Sequence, residues 1–218
     1  SIMKNSNEIA QKEFDDMVKN LKQNGISVHV FQDDEKDYTP DSIFPNNWVS
    51  FHQNGDVGLF PMYAKNRRLE RRPEVLEFLE SEGFTISNIV DYSSAESENK
   101  FLEGTGSMIL DRENRIAYCS ISNRSNEDLF IEFCEDFEFN PVIFNSFQSV
   151  GNMRLPIYHT NVMMCVATDY VIICLDSIDD KKQRKNVSNF IIESGKKLIE
   201  ISEKQVESFA GNMLELIN

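Results

Sequence analysis

Apolar residues are spread unevenly along this chain of 218 residues. Four times a short polar turn opens directly into an apolar run: FPNNWVSF at 44–51, LEGTGSMIL at 102–110, YHTNVMMCV at 158–166 and FAGNMLEL at 209–216. Each turn sets a small or hydrogen-bonding residue at the mouth of a strand. Repetition on this scale marks one structural unit copied around a common centre, so polar residues at equivalent mouths can converge on one site.

Between the turns the pattern predicts strand, strand, helix, strand. In the first copy a strand near 47–51 meets the hairpin signal Asn54-Gly55-Asp56 and a second strand near 56–60. A helix follows from Pro73 to Glu82, stopped by Gly83, and then a strand over 84–90. The second copy runs from Ser107 through a turn at 111–114 to the strand IAYCSIS, a helix near 125–137 with Ser125 and Asp128 as its capping pair, and a strand at 139–145. The third has strands at 161–167 and 170–175, a helix near 179–193 capped by Gly195, and the strand KLIEIS. Residues 7–24 keep helical spacing at Ile9, Phe14, Met17, Val18 and Leu21, Gly25 ends them, and ISVHVF reads as a strand. A short helix near 203–208 leads to a last strand at 212–216. Three complete units, a trailing half and a leading strand make about four, so the chain is expected to be cut at both ends of a closed ring.

An apolar fraction of 40% allows a substantial core in one large or two small domains. A formal charge of −14 and a pI near 4.7 argue against a nucleic-acid partner. The densest cationic stretch, Arg67, Arg68, Arg71 and Arg72, is interleaved with Glu70 and Glu74. It suits a small anionic group, or simply a solvated helix start. No run reaches the roughly 20 apolar residues that span a bilayer, and no charged-then-apolar leader opens the chain, so a soluble cytoplasmic protein without a membrane partner is expected. Cys119, Cys134, Cys165 and Cys174 lack paired ligand spacing and read as buried reduced thiols.

Two residues at the strand mouths suggest chemistry. Glu103 lies before two glycines that permit close approach to a ligand, where a carboxylate can hold an amide or cationic nitrogen. His159 sits at the equivalent place in the third turn and can exchange protons near neutral pH. His29 and His52 read as strand histidines. Asp41, Asn46 and Asn47, beside Phe44 and Trp48, form either a turn or a polar patch in an aromatic wall suited to a flat, nitrogen-rich group. Asn212 holds the corresponding place in the fourth turn. A nucleophile is missing: six residues of strand would put Cys165 about 20 Å from His159, and the other cysteines read as packing residues.

The motifs PDSIFPNNWVSFH, NRRLERR, FLEGTGSMILDR, IYHTNVMM and FAGNMLEL, in this order and over nearly the whole chain, resemble the guanidine-modifying, or pentein, superfamily. The resemblance is to its amidinotransferase-like branch of citrulline-utilisation hydrolases, related to dimethylarginine dimethylaminohydrolase and arginine deiminase. It implies a single α/β domain over 1–218, a five-bladed α/β propeller of repeated ββαβ modules incomplete at both termini. It further implies an arginine-like amino acid as partner, no cofactor and no metal, and is compatible with a homodimer. In the family a cysteine near the C-terminus attacks the central carbon of a guanidino or ureido group. By resemblance His159 moves the protons, Glu103 orients the substrate nitrogens, Asp41 precedes the substrate pocket, and Arg71 or Arg72 lies near the substrate carboxylate. The sequence stops at Asn218, before the expected nucleophile, so the chain as written is expected to be inactive. Relatives that grip a guanidinium use acids where Asn46 and Asn47 stand here, and amides suit a neutral ureido group better. Citrulline hydrolysis to ornithine, carbon dioxide and ammonia is therefore favoured. The alternatives are a dimethylarginine hydrolase, an amidinotransferase and a catalytically dead binding relative.

Overall fold

The computed structural model describes residues 2–33 and 38–216, which fall into two compact units, 2–33 with Leu216, and 38–215. The first unit is built on α1 (Ile2–Gln23), which gives way to Gly25 at a φ of 83°. That left-handed conformation ends a helix cheaply only at glycine. No strand is assigned over 26–31, where ISVHVF predicts one. Alternation specifies which face a strand would bury, but a strand exists only where a ladder forms.

The second unit repeats one module. In its first copy β1 (Val49–Phe51) pairs antiparallel with β2 (Asp56–Leu59), and after α2 (Pro73–Ser81) the chain returns as β3 (Asn88–Asp91), parallel to β2. The second copy opens with the single turn α3 (Gly104–Ser107). It continues as β4 (Met108–Asp111), antiparallel to β5 (Ile116–Ser120), then α4 (Glu127–Asp136), then β6 (Asn140–Phe144), parallel to β5. An added hairpin, β7 (Phe147–Val150) with β8 (Met153–Pro156), precedes the third copy. That copy comprises β9 (Met164–Val166), β10 (Tyr170–Ile173), α5 (Lys181–Glu193) and β11 (Lys197–Glu200) in the same pairing, followed by α6 (Glu203–Val206) with a capping box from Ser202 and Gln205.

Three local expectations change. The cap of α4 is Asn126, whose side chain accepts from Leu129 N at 3.1 Å. Ser125 is buried instead and bridges to Leu102 and Ser122. The sequence pattern does not predict the hairpin β7–β8, because every residue of β8 is exposed and no buried face imposes a legible alternation. No strand is assigned over 212–216, where FAGNMLEL predicts one.

Burial explains why the modules hold together. All five residues of β5 are buried, and its alternate side chains serve two cores. Ile116 and Tyr118 pack with Val142, Phe144, Ile173 and Val187 of the second and third modules. Ala117 and Cys119 join Phe60, Phe130 and Phe133 on the opposite face. A smaller cluster of Trp48, Val49, Val57 and Met62 fills the first module.

His52, just past β1, stacks on Phe137 with ring centroids 4.2 Å apart, while Ser50 Oγ lies 3.0 Å from its Nε2. Burial, reinforced by the Arg112 and Arg115 charges, lowers its pKa from 6.5 to about 4. The folded pKa lies below the unfolded one, so the neutral ring's contribution is complete above pH 6.5 and is lost as pH falls toward 4. Allowing for partial exposure, the loss is on the order of 1 kcal/mol. Urea titrations of wild type and His52→Gln at pH 7.5 and 4.5 are expected to show a smaller pH-dependent loss in the variant. An equal loss in both would contradict the assignment.

Candidate active site

The three polar turns that precede β1, β4 and β9 pack against one another, and glycine is what allows the approach. Gly104 adopts a φ of 43°, and a Cβ there would stand 2.3 Å from the Asn46 carbonyl oxygen. A Cβ on Gly106 would stand 2.3 Å from the Asn47 side-chain amide and 3.0 Å from Cε1 of His159. Gly106→Ala is therefore expected to push Asn47 and His159 apart, at a cost of about 1–3 kcal/mol in stability from overpacking. A thermal midpoint unchanged from wild type would show that the turns can yield without cost.

Hydroxyl groups tie these turns from beneath. Ser107 Oγ accepts from Glu103 N at 2.9 Å and donates to the Arg124 carbonyl at 2.6 Å. Thr160 Oγ1 accepts from Ser120 N at 2.8 Å and donates to the Ser107 carbonyl. Every hydroxyl in this layer is buried and bonded, so the layer fixes positions instead of costing unsatisfied groups.

On this base Glu103 and His159 meet. Glu103 is 0% exposed; its Oε1 accepts from Tyr63 N at 2.9 Å and its Oε2 lies 2.7 Å from His159 Nε2. Arg124 Nη1 stands 3.4 Å and Arg67 Nη1 4.0 Å from the same Oε2. Burial pushes the Glu103 pKa up, but the His159 bond, the Tyr63 amide and Arg124 outweigh it and hold the carboxyl below its usual range. Burial, joined by the Arg124 and Arg67 charges, lowers the pKa of His159 below its usual value despite the opposing pull of Glu103. A neutral imidazole beside a carboxylate donates through Nε2–H, which leaves Nδ1 as the basic nitrogen.

His159 lines a cavity of about 950 Å³, together with Asp41, Asn46 and Asn47. Arg71 and Arg72 do not line it. Arg71 forks onto Glu96 at 2.6 and 3.2 Å, and Arg72 Nε bonds Glu74 at 2.6 Å, so both guanidinium groups are engaged in ion pairs away from the cavity. The arginines on the wall are Arg67, Arg112 and Arg124. Arg67 is 3% exposed and is gripped by Glu70 through Nε–Oε1 and Nη2–Oε2 contacts, both 2.9 Å. The Asn47 amide, turned with its oxygen toward Arg67, accepts at 2.8 and 3.2 Å. The spacing of Arg67 and Glu70, three apart in NRRLERR, was the available signal for that pair; Arg124, in the turn NRSNED, carried none.

Cys165 also lines the cavity. The 3-10 turn Thr160–Val162 coils the chain between His159 and β9 and shortens the path. Burial nevertheless raises the thiol pKa of Cys165, as it does those of Cys119 and Cys134, the last to about 12. None of these is activated toward a thiolate.

Among the described residues the cavity wall carries three arginines and one carboxylate, Asp41, with Arg67 paired to Glu70 and Arg124 facing Glu103. The cavity therefore offers a neutral proton-exchanging histidine, amides and basic groups, an arrangement suited to an anionic or zwitterionic small molecule with a flat polar head.

The family model described as N,N dimethylarginine dimethylhydrolase, eukaryotic, matches residues 2–218. No curated protein matches. Among solved structures, the chain is similar to the apo structure of ArgZ, an arginine dihydrolase from the ornithine-ammonia cycle in cyanobacteria, with 21% identity and a TM-score of 0.72, covering 97% of this chain and 31% of that one. The substrate-bound N-terminal domain of ArgZ is similar at 21% identity and a TM-score of 0.70, covering 94% and 68%. A dimethylarginine dimethylaminohydrolase adduct with 4-chloro-2-hydroxymethylpyridine is similar at 13% identity and a TM-score of 0.53, covering 92% and 87%. At such identities the likeness concerns the fold, and the chain spans about a third of the length of the apo ArgZ chain.

Proposed function

The chain belongs to the eukaryotic N,N dimethylarginine dimethylhydrolase family, within the pentein superfamily, and from that premise we propose that it forms the binding and proton-transfer site of a hydrolase that cleaves a C–N bond in the ureido or guanidino group of an arginine-like amino acid. The observation that carries this reading is the 2.7 Å contact between His159 Nε2 and Glu103 Oε2 at the edge of the cavity. We place the three modules as blades of a five-bladed propeller and 1–218 within one such domain.

In this reading Asp41, Asn46 and Asn47 meet the flat head of the substrate. Asn47 is oriented by Arg67, so its nitrogen presents donors toward Asn46. His159 Nδ1 accepts the proton that the nucleophile gives up as it attacks the central carbon, passes it to the departing amine and then takes a proton from the attacking water, while Glu103 holds the ring in one tautomer. Cys165, the one cysteine lining the cavity, is not assigned as the nucleophile, because burial works against ionising it. Arg71 and Arg72, bound to Glu96 and Glu74, are replaced as carboxylate partners by Arg124.

Citrulline is the substrate favoured by the groups on the wall. Asn46 and Asn47 are neutral amides that match an uncharged ureido head, and Arg124, which Glu103 meets only at 3.4 Å, attracts the α-carboxylate. Calorimetric titration of this chain with citrulline, arginine and N,N-dimethylarginine is expected to rank citrulline tightest, by about tenfold, the effect of roughly 1.4 kcal/mol. Tighter binding of either guanidino compound would overturn the ureido assignment. Ammonia release from citrulline by the native gene product distinguishes a hydrolase from a protein that only binds.

A further inference from the structure

The carboxylate end of the site depends on how one long side chain is held. The backbone of Arg124 is fixed, since its carbonyl accepts from Glu103 N at 3.1 Å and from Ser107 Oγ at 2.6 Å, and its amide donates to Ser122 Oγ at 3.1 Å. Its side chain is another matter. It is 31% exposed, and its contact to Glu103 is long at 3.4 Å, with that carboxylate already held by His159 and Tyr63 N. An arginine side chain carries about 2 kcal/mol of rotamer entropy, which one long bond does not restrain.

Two half-exposed aromatic rings supply the restraint. The Arg124 guanidinium carbon lies 5.1 Å from the ring centroid of Tyr158 and 5.8 Å from that of Tyr63. Both distances are within cation–π range. Tyr158 is itself anchored, because its carbonyl accepts from Ser122 Oγ at 2.7 Å, the same hydroxyl that receives the Arg124 amide. Its ring centroid is 4.9 Å from that of His159. Cation–π contact uses the face of the guanidinium and leaves its in-plane N–H donors free for a carboxylate. Arg67 is not in that position, since Glu70, the Asp41 carbonyl and Asn47 engage its fork.

We propose that Tyr158 is a specificity-determining positioning residue: with Tyr63 it clamps Arg124 at the cavity wall and so sets the preference for ligands that carry a carboxylate. The inference rests on the reading of the cavity as an amino-acid site. It asks more than that reading does, because the clamp governs selectivity for one end of the ligand and leaves the head group untouched.

The test compares calorimetric affinities of wild type, Tyr158→Ala and Tyr158→Phe for citrulline and arginine, each paired with its decarboxylated analogue. Wild type is expected to favour the carboxylate-bearing member of each pair that binds. Tyr158→Ala should shrink that ratio by about three- to tenfold, the scale of a partly exposed cation–π contact, and leave the analogue's affinity within about twofold. Tyr158→Phe should restore the ratio, since the ring face is retained. Equal weakening of both members in Tyr158→Ala, or a phenylalanine variant no better than alanine, overturns the clamp while leaving the amino-acid site standing. A wild type that binds neither citrulline nor arginine overturns both.

Discussion

A His159→Asn variant is expected to stay folded and to lose turnover by about 10²- to 10⁴-fold in the native gene product, the span associated with removing a general acid–base group. Asparagine is close in shape to half an imidazole ring and can still donate to Glu103, so the buried carboxylate keeps a partner. What disappears is the basic nitrogen. The companion variant Glu103→Gln separates two roles. Glu103 raises the His159 pKa against the effect of burial, so its neutralisation should move the acid limb of the kcat/KM profile to lower pH. At the same time the plateau should fall, because a neutral amide no longer stabilises the imidazolium formed during proton transfer. Ammonia release measured from pH 4.5 to 8.5 checks both. An acid limb that stays in place would remove His159 as the titrating base.

The second large effect is on stability. Arg67 and Glu70 are 3% and 2% exposed, and each is the other's main charged partner. Glu70→Gln leaves the Arg67 charge buried with only carbonyls, an amide and the more distant Glu103 around it. Breaking a buried pair from one side costs about 3–5 kcal/mol, against a total stability of roughly 5–15 kcal/mol for a typical domain. Urea unfolding is expected to show that loss in midpoint with little change in slope. The double variant Arg67→Met/Glu70→Leu should recover much of it, because no uncompensated charge remains. It should still bind ligand poorly, since Asn47 loses the donor that orients its oxygen. A Glu70→Gln protein as stable as wild type would mean that solvent reaches the pair.

Much of this architecture is legible in the residues alone. The strand, strand, helix, strand rhythm recurs in three modules, with α4 and α5 burying apolar residues at helical spacing and α2 packing Val75 and Leu76 only partly. Glu103 and His159 could be singled out because they occupy equivalent mouths in a repeat. The arginines were harder. NRRLERR contains four cations within six positions, and the choice among them turns on which one finds a buried acid at the right helical offset. Arg67 does so with Glu70; Arg71 reaches Glu96, 25 residues away, a pairing that no local pattern announces. Arg124 lies in a turn of polar residues where every neighbour is a turn former, and only the fold brings it to Glu103. The 3-10 turn Thr160–Val162 between His159 and Cys165 interrupts what the sequence alone presents as extended chain.

The doubly buried strand β5 has a consequence for how such a repeat can change. In many repeat proteins each unit touches its neighbour across an interface that can be made or broken separately, so units are gained, lost or shuffled. Here the interface is the interior of a strand: Ile116 and Tyr118 belong to a core reaching into the third module, while Ala117 and Cys119 belong to one shared with Phe60 and Tyr92 of the first. A one-residue slip would exchange the two sets of side chains, a methyl-sized group where a tyrosine ring had been, and damage both cores at once. A register error in this strand therefore costs packing on both of its faces, and the three modules are joined through the interior of one strand.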